Sequence, residues 1–284
     1  MKAAAIISKP AEKTNAVAPQ VAKWLGEHGY NVFVDRETAA QAPGYEVVER
    51  EKLAEKQPEF VIVLGGDGTM LAAARAVAQA GIPIMGVNLG ALGFLTEIPI
   101  EELYPTLEAL VENRCAVEPR SMLHAHLMRG TERVMHYDAM NDVVVAKSAI
   151  ARIVEFEVTV DGQLVTNYKA DGIIVSTPTG STAYSLAAGG PIVSPGVNAF
   201  IITPISPHSL TNRPLVVRDD REIAILVKSV GEEAFLSIDG QTGEPVLDGD
   251  RITCKKSARN VRLLKLGKRT FFDVLRMKLS WGQR

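Results

Sequence analysis

The stretch Phe60-Val61-Ile62-Val63-Leu64-Gly65-Gly66-Asp67-Gly68-Thr69 decides how the rest of the chain is read. Five consecutive apolar, mostly β-branched residues suit a strand covered on both faces, as strands of parallel sheets are. The run ends at two glycines. An Ala-rich helix, Met70 to Ala80, is predicted next, with Thr69 as its cap and Gly81 as its stop. Strand, glycine loop and helix in that order make a place for an anion. Glycines permit positive φ and close backbone approach, and successive N–H groups form a nest beside the positive end of the helix. Asp67 stands inside this loop. A carboxylate repels bound phosphates, so it reads as a general base or a Mg2+ contact rather than a phosphate ligand. The loop has neither the Gly-Lys-Ser/Thr of a Walker A motif nor a GxGxxG fingerprint. A tight Gly-Asp-Gly turn without chemistry is the plainer alternative.

On the N-terminal side, Ala3 to Ser8 and Asn31 to Asp35 read as strands, and Asn15 to Glu27 as a helix with apolar spacing at Val17, Val21, Trp24 and Leu25. On the C-terminal side, Pro83 to Val87 is a further strand and Glu101 to Asn113 a further helix. This alternation predicts a doubly wound, Rossmann-like α/β domain over residues 1–120. Near Val117 to Arg120 the pattern changes to many short alternating strands. Leu123 to Arg129 and Val134 to Tyr137 pair as a hairpin. Ile153 to Val160 leads through the turn Asp161-Gly162 to Gln163-Leu164-Val165. Further strands are Gly172 to Ser176, Phe200 to Thr203, Leu215 to Val217, Glu222 to Val227, Phe235 to Asp239, Arg251 to Lys255 and Val261 to Lys265. Together they predict an all-β, antiparallel C-terminal domain over residues 121–265. Residues 266–284, with a helix from Phe271 to Leu279, are expected to return to the α/β domain.

The chain of 284 residues is long enough for two domains, and its formal charge of -2 excludes the basic excess of a protein that grips nucleic acid through many phosphates. Cys115 and Cys254 are far apart and read as reduced thiols. The apolar start is too short for a signal-peptide core, and no stretch reaches the roughly 18 apolar residues of a membrane span, so a cytoplasmic protein is expected.

A second constellation lies in the β domain: Asp171-Gly172-Ile173-Ile174-Val175-Ser176-Thr177-Pro178-Thr179-Gly180-Ser181-Thr182-Ala183-Tyr184-Ser185-Leu186-Ala187-Ala188-Gly189-Gly190-Pro191. It reads as strand, turn and short helix, with Ser181 or Thr182 as cap. Hydroxyls, backbone groups and the ring of Tyr184 suit a flat heterocycle with polar edges. A nucleophilic role for Ser181 or Ser185 lacks the GxSxG elbow and a His–Asp pair.

A GGDGT loop after a strand resembles the superfamily of NAD kinases, diacylglycerol and sphingosine kinases and, more distantly, phosphofructokinases. The second constellation resembles the adenylate-binding segment of NAD kinases in particular. Asn141-Asp142, within Met140-Asn141-Asp142-Val143-Val144, is similar to that family's Asn-acid pair for ribose hydroxyls. Pro204-Ile205-Ser206-Pro207-His208-Ser209-Leu210-Thr211-Asn212-Arg213-Pro214-Leu215 and Asp239-Gly240-Gln241 match two further segments, the last a turn that contacts the dinucleotide. These matches run from about residue 60 to 245. One departure stands out: many members have Glu where this chain has Asp142, a methylene shorter.

The resemblance implies transfer of a phosphoryl group from ATP to the 2'-hydroxyl of the adenosine ribose of NAD, giving NADP and ADP, with Mg2+ or another divalent cation whose ligands the sequence does not assign. Asp67 would accept the hydroxyl proton and Gly65, Gly66 and Gly68 would hold phosphates. Asn141 and Asp142 would orient a ribose, and Asp171 would accept from the nicotinamide amide. Thr182, Ala183, Tyr184, Ser185, Leu186 and Ala187 would cradle the adenine end, with Gln241 at the late turn. Lys169 either reaches the pocket of Asp171 or is a solvated strand-end lysine. Arg152 either meets a phosphate or is a surface charge. His208 and Arg213 fit a packed corner as well as a ligand site. His124 and His126 alternate on one strand, with no carboxylate or Cys beside them in sequence at metal spacing. A homodimer or homotetramer is implied. The rival readings are a lipid kinase sharing the loop, a non-catalytic NAD sensor, and an NADP phosphatase.

Overall fold

The structure is a computed structural model describing residues 2–148, 154–229 and 233–281. It divides into two compact units, residues 1–119 with 259–284, and residues 120–258.

The first unit is α/β. Strands β1 (Lys2–Ser8), β2 (Tyr30–Val34), β3 (Glu46–Val47), β4 (Phe60–Leu64) and β5 (Ile84–Asn88) are all parallel and lie in the order β5-β4-β1-β2-β3. The chain therefore runs outward from β1 to β3 and returns to β4 on the opposite side. The switch of direction lies between β1 and β4, where open α/β sheets leave a crevice at the carboxyl ends of their strands. Every residue of β4 is buried, as a strand with helices on both sides requires. Helix α1 (Glu12–Glu27) starts three residues earlier than its apolar spacing indicates, because Thr14 turns its hydroxyl back to the N–H of Ala11. Its Ala18, Val21, Ala22 and Leu25 join Ile6, Ile62 and Leu64 in one core. Helix α2 (Arg36–Ala39) is capped by Asp35, whose Oδ1 accepts from the N–H of Thr38.

Helix α3 (Asp67–Val77) begins earlier than the sequence suggests. Its N-cap is Gly66 rather than Thr69, and it tapers into a 3-10 turn that ends at Gly81 with φ +64°. A two-residue strand β6 (Ile98–Pro99) pairs with β5, and helix α4 (Leu103–Val111) follows. The sheet is completed beside β5 by Leu263, paired with Ile84, from the strand Arg251–Lys265.

The second unit is mostly strand. Strands β7 (Ala116–Arg129) and β8 (Glu132–Ala139) form the expected hairpin, β7 starting earlier and β8 longer at both ends. After them come β9 (Asp142–Lys147), β10 (Val154–Val160), β11 (Gln163–Ala170) and β12 (Gly172–Ser176). Helix α5 (Tyr184–Ala187) precedes β13 (Ala199–Ile205), β14 (Leu215–Arg218), β15 (Ile223–Lys228), β16 (Ala234–Ile238), β17 (Thr242–Val246) and β18 (Arg251–Lys265). One antiparallel sheet runs β14-β13-β12-β9-β16-β17. The other runs β11-β10-β15-β18. Inward residues of both, among them Val143, Phe156, Val175, Phe200, Ile225 and Leu236, make a single sandwich core. The two strands expected at 251–255 and 261–265 are one strand. The polar run between them, Lys256 to Asn260, stays extended because both ends are held in ladders. Helix α6 (Phe271–Leu279) spans the residues its spacing indicates, opened by a capping box between Thr270 and Asp273. Among the described residues no helix is long and apolar enough to cross a membrane.

Candidate active site

Two loops leave the carboxyl ends of the neighbouring strands β4 and β5, whose register sets Leu64 beside Val87. The first is Gly65 to Thr69. Gly65 donates its N–H to Val87 O at 3.0 Å, which fixes the exit of the loop. A Cβ on Gly65 would sit 2.7 Å from Thr69 Oγ1, so the glycine is needed for close approach. Left-handed φ is not the reason for these glycines: Gly65, Gly66 and Gly68 are not among the positive-φ residues. Gly66 caps α3 with no side-chain hydrogen bond and open space around it, leaving the helix start facing outward.

The second loop, Leu89 to Glu97, folds back onto Asp67. Oδ2 of Asp67 accepts from the N–H of Phe94 at 2.9 Å. Oδ1 accepts from the N–H of Leu95 at 3.0 Å, and from both the N–H and the hydroxyl of Thr96 at 3.2 Å. A Cβ on Gly93 would lie 2.0 Å from Asp67 Oδ1 and 2.3 Å from Thr96 Oγ1, so only glycine fits there. Asn88 braces the start of this loop through its Oδ1, which accepts from Gly90 N–H at 2.6 Å. The C-terminal return braces its end. Lys265 Nζ is 2.8 Å from Glu97 Oε1, Arg269 donates to Glu97 O at 3.2 Å, and Arg269 pairs with Glu102 at 2.7 Å. That pairing holds the Glu102 carboxyl below its ordinary range.

In the β unit, Asn141 and Asp142 sit where β9 begins. Asp142 is 4 % exposed and lies opposite Ser176 of β12. Burial, then the nearby Asp239 carboxylate, pushes its pKa up to about 7. Thr177 donates its N–H to Asn141 O at 2.9 Å and its hydroxyl to Met140 O at 2.6 Å. A Cβ on Gly180 would meet Asn141 O at 2.1 Å, so the 177–180 turn can lie against the pair only with glycine there. Asn141 Oδ1 and Ser176 Oγ are buried without a hydrogen-bond partner.

Beyond this turn the expected cap fails. Residues Gly180–Thr182 form a 3-10 turn, and α5 starts after Ala183 with no side-chain cap. Ser181 is instead wholly buried, donating to Pro178 O at 2.6 Å and accepting from Val193 N–H at 3.0 Å. Ser185, also wholly buried, shares a hydrogen bond of 2.9 Å with Thr203. Both hydroxyls hold structure, which removes the nucleophile reading. Thr182 donates to Thr179 O at 3.2 Å, and Tyr184 is exposed. Asp171 pairs with Lys147 at 2.9 Å, a partner from β9 that the linear sequence does not indicate. Lys169 is exposed, and its carbonyl accepts from His208 N–H at 2.8 Å. Gln241 is exposed in the turn after β16. Arg152 lies outside the described residues.

The chain matches the family model described as ATP-NAD kinase N-terminal domain over residues 4–115, and the one described as ATP-NAD kinase C-terminal domain over residues 140–266. It is 55% identical over 285 residues to an NAD kinase of Koribacter versatilis and 49% identical to one of Acidobacterium capsulatum, each alignment covering 100% of both chains. The chain belongs to the ATP-NAD kinase family. Its activity is that of an NAD kinase, a phosphotransferase. Two solved structures share the fold. A yeast NADH kinase complexed with NADH superposes with a TM-score of 0.89 at 27% identity, covering 100% of this chain and 89% of that one. An NAD kinase from Archaeoglobus fulgidus in complex with ATP gives 0.79 at 28% identity, covering 99% and 100%. The lipid-kinase, sensor and phosphatase readings therefore fall away.

Gly93, Thr96 and Lys147 were not singled out from the sequence as site-building residues, and Asp239 was read only as part of a turn that contacts the dinucleotide. For the first two a signal was present: Asn88-Leu89-Gly90-Ala91-Leu92-Gly93 is a second glycine-bearing loop directly after a buried parallel strand. His136 and Asp138 are further omissions. The β7–β8 register puts His136 opposite His126 and Asp138 opposite His124, with His124 Nδ1 and Asp138 Oδ1 2.6 Å apart. Even so, among the described residues no group of three or more His, Cys, Asp or Glu is arranged to hold a metal ion.

Proposed function

We propose that Asp67 is the general base of the reaction, taking the proton from the 2'-hydroxyl of the adenosine ribose of NAD as ATP transfers its phosphoryl group. The observation that carries this reading is the unequal loading of one carboxylate. A carboxylate offers about four acceptor positions. Oδ1 takes three donors, whereas Oδ2 takes one, so Oδ2 keeps room for a hydroxyl proton. The four donors also fix the carboxylate, which is the positioning that phosphoryl transfer requires. The open start of α3 at Gly66, with Gly65 and Gly68 alongside, receives phosphate oxygens.

Asn141 and Asp142 hold a ribose. The unpartnered Asn141 Oδ1 supports this, since a buried acceptor without a donor costs stability unless a ligand supplies one. Asp171, with its charge balanced by Lys147, accepts from the nicotinamide amide. Thr182 to Ala187 and Gln241 line the adenine side, and Lys169 contributes charge near the dinucleotide. A divalent cation fits this donor set only as the partner of the nucleotide phosphates, because Mg2+ keeps waters and takes few protein ligands. When bound, it neutralises phosphate charge. The assembly proposed is a cytoplasmic homodimer or homotetramer, measurable by light scattering.

The test is Asp67→Asn, assayed for NADP formation from NAD and ATP with Mg2+. General-base catalysis is worth ~10²–10⁴-fold, so kcat falls by that factor. Turnover near that of the parent chain would show that the base is elsewhere.

A further inference from the structure

Asp239 closes β16 in an unusual backbone state. Its φ is +51° and that of Gly240 is +63°, so two successive residues are left-handed. This bend points the Asp239 carboxylate back at the segment before β9. Oδ2 accepts from Met140 N–H at 3.0 Å, and Oδ1 accepts from Asn141 N–H at 2.7 Å and Asp142 N–H at 3.1 Å. The N–H of Asp239 itself donates to Asp142 O at 2.9 Å. Four hydrogen bonds thus join one residue to three consecutive ones, and three successive N–H groups converge on one anion, the geometry of an anion-binding nest.

The nest sets the direction of the neighbouring groups. With their N–H groups turned toward Asp239, Met140 and Asn141 offer their carbonyls to Thr177.

We infer that Asp239 is a positioning residue for the kinase reaction, holding Asn141 and Asp142 in the orientation that receives the ribose of NAD. The inference rests on the ribose assignment made above. It gives Asp239 a role different from dinucleotide contact, because its carboxylate oxygens are already engaged by the backbone.

Asp239→Asn in the full chain tests it. An amide has one acceptor oxygen and a donor where Met140 N–H points, so at least one bond to the anion becomes a donor–donor conflict. Hydrogen bonds to a charged group are the strong ones, and KM for NAD is expected to rise about tenfold while kcat at saturating NAD changes less than about threefold. A second readout separates positioning from general loosening. The Asp239 anion helps to raise the Asp142 pKa, so its loss moves the pH dependence of KM for NAD to lower pH, which a merely structural defect does not do. A folded variant with parental KM and pH dependence would overturn the inference. Asp142→Asn, measured alongside, keeps the two readings apart. If it raises KM for NAD and Asp239→Asn does not, only the positioning role fails. If Asp142→Asn leaves KM unchanged, the ribose assignment fails and takes the inference with it. Should Asp239→Asn not fold, Gly240→Ala strains the same turn and retains the carboxylate. A severalfold rise in KM for NAD without the pH shift then supports the inference, and an unchanged KM overturns it.

Discussion

Replacing Asp142 by Asn should stabilise the protein at neutral pH while weakening its grip on NAD. The side chain is 4 % exposed and its pKa stands at about 7 instead of the ordinary 3.8. A carboxyl whose pKa is raised on folding binds its proton more tightly in the native state. Its contribution to stability is therefore greatest in acid, declines as pH rises from about 4 to about 7, and stays low above that. Asparagine has no such titration. At pH 5 the native carboxyl is neutral while the unfolded one is already ionised, so roughly 1–2 kcal/mol of the gap is already present. Between pH 5 and pH 7 the gap should widen by two pK units' worth, about 2–3 kcal/mol in favour of the variant. For a unit of this size that is about 5–10 °C in melting temperature. The assay is thermal melting of parent and Asp142→Asn chains across pH 5 to 9, followed by circular dichroism. Groups common to both cancel in the difference. A difference independent of pH would refute the reasoning, because it would mean that the native carboxyl does not hold its proton into the neutral range.

Gly93→Ala places a methyl group 2.0 Å from the Asp67 carboxylate, and kcat is expected to drop at least as far as in Asp67→Asn, roughly 10²-fold or more, with a smaller change in melting temperature. A variant that keeps its turnover would show that the 93–96 loop does not set the carboxylate. The His126 pKa is lowered first by burial and then by the positive charge of His124, Arg133, His136 and Lys255. A depressed histidine destabilises the native state as pH falls below its unfolded value, so His126→Gln should melt progressively higher than the parent as pH drops from 7 to 5. Parallel melting curves over that range would contradict it.

Local patterns in the chain revealed what local forces build. The Phe60 to Leu64 run is a fully buried parallel strand, and Asp161-Gly162 is a hairpin turn with both residues left-handed. The helix from Phe271 to Leu279 announced itself through its spacing. The harder features depend on partners distant in sequence. Asp67 stood out in the sequence as a candidate base, but the loop that loads its oxygens lies 27 to 29 residues away and meets it only because β4 and β5 are adjacent. Asp171 stood out as a candidate, whereas Lys147 reaches it only through the β9–β12 register. Thr69 looked like a cap by residue type, yet Gly66 takes that position because the helix begins as soon as the strand lets go. The stretch Lys256 to Asn260 carries too little apolar pattern to read as strand, and it is extended because the ladders on either side leave it no alternative.

That long strand bears on how the polypeptide is made. The α/β unit is not continuous in sequence: it leaves off at Pro119 and resumes at Arg259. A ribosome releasing chain at about 5–20 residues per second exposes the glycine loop early, with the Ile84 end of β5 still missing its neighbour Leu263. Only after the β unit has been synthesised in full do Lys265 and Arg269 arrive to brace the segment behind Asp67. A nascent chain halted at the first boundary carries the glycine loop without the edge strand and clamp that complete it, so residues translated after the β unit finish the setting of the Asp67 carboxylate.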